Sequence, residues 1–161
     1  MSKRFYKPEN RLGAVMSQPG GMPARAALAR AKYQMTQKRG EFEKRLKARV
    51  KEIQAMPVCD TAGETFRTAS MKASDIVTLA GVTGQKLTMT TAAALIEFAE
   101  WMLEAEAGDT APIPVFIDSI RLAHEKGPRM TEEEAQTLVA RLHRLTDIYQ
   151  ARYPLPDEDA A

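Results

Sequence analysis

The chain has little of what most catalytic and metal chemistry requires. Cys59 is its one cysteine. It excludes an internal disulfide, fits a reducing, cytoplasmic setting, and leaves no Cys pair for zinc. As a nucleophile it would need an adjacent base that the sequence does not mark. The two histidines, His124 and His143, have no Glu three positions before them, so the Glu-x-x-His pairs of di-metal bundles are missing. There is no Gly-x-Ser-x-Gly elbow. The stretch GVTGQK (Gly81 to Lys86) resembles a fragment of a phosphate loop, but it follows a helical pattern rather than a strand and reads as a plain interhelix turn. These gaps point to a protein with no catalytic residue, no metal and no cofactor. No apolar run is long enough to cross a bilayer, and the N-terminus has charge without an apolar core, so neither a membrane span nor a secretory signal is expected.

Aromatic residues make up only 6% of the chain, against 44% hydrophobic residues in all. Ala, Leu and Met supply most of that apolar content, which suits helices packing closely on helices. The net charge of +2 conceals an uneven distribution. Residues 1–51 hold 14 Lys and Arg against 3 Asp and Glu, whereas residues 52–161 hold 9 against 18. A basic arm joined to an acidic body suggests docking of one on the other, or separate partners for each.

The periodicity predicts an all-α protein, an antiparallel bundle of four to five helices with a long basic N-terminal helix. Residues 1–22 carry Pro8, Gly13 and the breaker SQPGGMP, and read as an irregular basic lead. Over residues 23–55 the apolar seam Leu28, Ala31, Met35, Phe42, Leu46, Val50 and Ile53 follows helical steps, with Lys and Arg elsewhere and Gly40 marking a bend or a boundary between two shorter helices. Residues 61–152 form the acidic bundle. Thr61 with Glu64 and Thr131 with Glu134 read as capping boxes, and Gly81 and Gly84 enclose a turn between two helices. Residues 153–161 read as a disordered acidic tail. Glu97, Glu100 and Glu104 lie opposite an apolar stripe, the pattern of a solvated face rather than a metal site.

Each cation or imidazole has a bland reading beside a functional one. Arg39, Lys44 and Lys47 belong to a row that would meet an acidic signalling protein or, as a less favoured alternative, track the phosphates of a nucleic acid. That row is otherwise a solvated face. His124, near the end of its helix, suits an exposed capping role. His143 stands four residues before Asp147, a spacing for a surface pair. Either histidine is an alternative phosphoacceptor.

The segment SMKASDIVTLAGVTGQKL (Ser70 to Leu87) resembles the phosphate-carrying hairpin of bacterial histidine phosphotransfer domains. SDIVT stands for the first element, LAGVTGQKL for the turn, and AAALIEFAEWM for the second helix. In that alignment Ser74 occupies the histidine position, Val77 the lysine and Thr78 the glycine, so the resemblance implies the shape without the chemistry. More broadly, QPGGMPARAALARA, ASDIVTLAGVTG and IPVFIDSIRLAHE are similar to segments of the accessory chemotaxis proteins called CheE. This likeness implies a non-enzymatic adaptor in bacterial chemotaxis or two-component signalling. It would bind a response-regulator receiver domain or another acidic signalling partner. Lys72, Ser74, Asp75, Thr78 and Lys86, flanking the hairpin, are the expected contacts, with exposed Met71 supplying an apolar centre.

Overall fold

A computed structural model describes residues 23–57 and 61–155. Cys59, the lead segment 1–22 and the end of the acidic tail lie outside the described residues. The regular structure among the described residues is all helix, with no strand: α1 (Ala24–Gln54), α2 (Ala62–Thr83), α3 (Lys86–Glu104), α4 (Ile113–Lys126), a short 3-10 turn (Gly127–Arg129) and α5 (Glu132–Arg152). The expected all-α bundle is therefore what the chain forms.

Two compact units divide the chain, Met1–Lys38 and Arg39–Ala161. The boundary falls inside α1. In the first unit the carbonyl of Pro23 accepts from the amides of Ala26 (2.8 Å) and Ala27 (3.0 Å), which starts the helix. The helix then passes Gly40 without interruption. In the second unit the seam residues Leu46, Val50 and Ile53 are buried, as their helical spacing requires. Leu28, on the same seam in the first unit, is 59% exposed.

The bundle's centre is α3, which packs against α2, α4 and α5. Its Phe98 touches one aromatic ring from each neighbour. Phe66 of α2 lies 6.3 Å away edge-on, Phe116 of α4 stacks at 4.8 Å, and Tyr149 of α5 stands edge-on at 5.6 Å. Aromatic pairs in such geometries add stability beyond the area they bury. Around this cluster the helices present Ala69, Ala73, Ala80, Ala92, Ala94 and Ala99, which lets the backbones approach closely. Three buried hydroxyls bond back along their own helix: Thr83 donates to Leu79 O, Thr91 to Leu87 O and Ser119 to Val115 O, each one turn back. Among the described residues no buried side-chain polar atom lacks a partner.

Helix ends are fixed by local chemistry. Thr131 and Glu134 form a complete capping box at the start of α5. At α2 the Thr61 hydroxyl accepts from the Glu64 amide at 3.2 Å. A third anchor holds the loop between α3 and α4: the Tyr149 hydroxyl donates to Asp109 Oδ2 at 3.2 Å, and Arg152 reaches the same oxygen at 3.5 Å.

Candidate functional site

The α2–α3 hairpin is built by one glycine. Gly84 sits at φ 76°, ψ 19°, the left-handed region that a Cβ disfavours. Its amide donates to Gly81 O, and the Gln85 amide donates to Ala80 O at 2.9 Å. This is the pattern that closes a helix at a left-handed glycine. The chain then re-enters a helix at Lys86, so α2 and α3 are joined by only two residues.

On the outer face of α2, Ser74, Asp75 and Thr78 are exposed and Lys72 is half-buried. Met71 is 67% exposed, the most exposed of the large hydrophobic side chains among the described residues. Ser74, Asp75 and Met71 line a shallow depression of about 490 Å³ whose floor is Ile96 and Leu103 of α3, with Arg67 and Glu100 at its rim. Asp75 is held by Arg49 Nε at 3.4 Å, and Arg49 also reaches Glu52 at 2.6 Å. The Thr78 hydroxyl donates to Ser74 O at 3.1 Å, within the helix.

The remaining expected contacts lie elsewhere. Arg39 and Lys86 line a larger cleft of about 930 Å³ at the hairpin's turn. Arg39 donates to the Thr83 carbonyl at 3.1 Å and pairs with Glu43. Apolar Leu87, Met130 and Val139 also line the cleft, and Glu43 and Glu132 share its lining with the two cations. Lys44 and Lys47 are exposed on α1 and line neither cavity. The structure thus gathers Ser74 and Asp75 in one place and Arg39 and Lys86 in another.

The two histidines differ. His124 is not an exposed cap: it is half-buried, and its Nδ1 lies 3.0 Å from Gln85 Oε1. That oxygen also accepts from the Thr88 hydroxyl at 3.3 Å. An amide oxygen only accepts, so Nδ1 carries the proton in this arrangement. Burial pushes the His124 pKa below its ordinary 6.5; Glu125 opposes that shift and Lys47 adds to it. His143 is exposed and lines the cleft together with Arg39 and Lys86. The cleft and the Gln85–His124 contact were not legible as a site, because they join residues far apart in sequence through the packing of α4 and α5 on the turn.

No grouping of His, Cys, Asp or Glu among the described residues has the arrangement of a metal site. No helix among them is long and apolar enough to cross a membrane. No family model matches the chain, and neither a curated protein nor a solved structure matches it.

Proposed function

We propose that the chain is a non-enzymatic adaptor in bacterial chemotaxis or two-component signalling, docking a response-regulator receiver domain on the outer face of α2. The observation that carries this reading is the depression around Met71. It pairs an exposed apolar side chain with a polar rim of Arg67, Ser74 and Asp75. Protein interfaces are organised in this way, with an apolar centre ringed by polar groups. The phosphotransfer resemblance supplies the class of partner, and Ser74 in place of histidine supplies the reason that docking is not followed by transfer. A serine hydroxyl cannot form the phosphoramidate of a relay. The test is a titration of the chain with receiver domains of the same cell. Binding at micromolar concentration, weakened at least tenfold by Met71→Glu with the helical content unchanged, supports docking at this face. An intact fold that binds no receiver removes it.

A second reading rests on His143. Its imidazole is exposed in a cleft that also holds Arg39 and Lys86, cations suited to a phosphoryl group. Under this reading His143 takes a phosphoryl group from a receiver aspartyl-phosphate. Acid-labile phosphate on the chain, abolished by His143→Gln and retained in His124→Gln, would establish it.

A further inference from the structure

The first half of α1 differs from the second in a way the proposed docking face does not use. Residues 23–38 contain Arg25, Arg30, Lys32 and Lys38 and not one Asp or Glu. From Arg39 onward, acids are interleaved with the bases, and Arg39 pairs with Glu43 and Arg49 with Glu52. An ordinary solvated helix carries such i,i+3 and i,i+4 partners. Arg25, Arg30 and Lys32 have no acid at either spacing, Lys38 has only Glu41 at i+3, and all four cations are exposed.

Their placement around the helix points to the partner. At about 100° per residue, with Arg25 set at 0°, Arg30, Lys32 and Lys38 fall near 140°, 340° and 220°. No arc wider than about 140° lacks a cation. A helix laid on an acidic protein surface needs its charges on one side. A helix flanked by anions on both sides is matched by cations all round. Ala24, Ala26, Ala27, Ala29 and Ala31 keep much of the segment slim, with Leu28 and Tyr33 exposed among them. A helix is about 10–12 Å across with its side chains, and the major groove of B-form DNA is about 12 Å wide.

We propose that Ala24–Lys38 is a DNA-binding helix that lies in the major groove of duplex DNA and holds it through the phosphates. None of these four cations lines the Met71 depression, so neither proposal depends on the other. Each phosphate neutralised releases counterions, and the logarithm of the binding constant falls with the logarithm of salt by about 0.9 per contact.

The test is anisotropy of a dye-labelled duplex titrated with the full chain at several salt concentrations. The comparison is a variant with Arg25, Arg30, Lys32 and Lys38 all changed to Ala. Alanine favours helix, so circular dichroism will show the variant's helix retained. The wild type is expected to bind with a salt slope steeper by about 3 to 4 than the variant's, matching four lost contacts. It should also bind B-form DNA more tightly than duplex RNA, whose major groove is too narrow. Met71→Glu should bind DNA like the wild type. An unchanged slope in the fourfold variant overturns the proposal. So does equal affinity for duplex RNA, or for polyglutamate, which would point to an acidic protein instead.

Discussion

His124 Nδ1 lies 3.0 Å from the side-chain oxygen of Gln85, tying the last turn of α4 to the residue that joins α2 and α3. Partial burial lowers the imidazole's pKa from 6.5, so the folded state holds its proton less tightly than the unfolded chain does. Between the two values the unfolded state binds more protons, and stability rises with pH. The contribution is complete above the unfolded value and is lost as pH falls through the folded one. Denaturant melts across the acid side of neutrality should show the wild type losing more stability than His124→Gln. Parallel losses in both would contradict this.

Phe98 joins three helices through its contacts with Phe66, Phe116 and Tyr149. Phe98→Ala should cost about 3–5 kcal/mol, the range for emptying a large aromatic site in a core. Urea unfolding followed by far-ultraviolet circular dichroism measures it. A loss below about 1 kcal/mol would show that the neighbours collapse into the space.

Two glycines should respond in opposite directions. Gly84→Ala places a Cβ in the left-handed region and should destabilise by about 1–2 kcal/mol. Gly40→Ala lies inside α1, where nothing stands within 4 Å of an added Cβ. It should stabilise by about 0.5–1 kcal/mol. The same urea series compares both.

Removing the Tyr149 hydroxyl loses its bond to Asp109 but leaves the ring against Phe98. Tyr149→Phe should therefore cost only about 1 kcal/mol. Amide exchange in the loop between α3 and α4 should quicken more than exchange in α2.

The helices and their ends were legible because their signals are local. The Thr131–Glu134 box, the Gly84 turn and the Leu46–Val50–Ile53 seam each lie within one or two turns of chain. Phe98 was harder to place. It lies on the buried face with Leu95, Ala99 and Met102, and the helical period alone does not show that its ring touches α2, α4 and α5 at once. Leu28 follows the seam that buries Leu46, and periodicity alone does not show that it stays exposed. The site divided in the same way. Met71, Ser74 and Asp75 share a face because they are spaced i, i+3 and i+4 along one helix. Arg39, Lys86 and His143 meet only when α1, the hairpin turn and α5 are assembled, which no spacing along the chain encodes.

The proposed docking face is tested most directly by labelling the methionine methyl groups and titrating in a receiver domain under nuclear magnetic resonance. Met71 lies in the α2 depression and Met130 in the cleft beside His143. Saturable shifts at the Met71 methyl with Met130 unmoved are the predicted result. Shifts confined to Met130, or none at either methyl at millimolar receiver, would contradict the account.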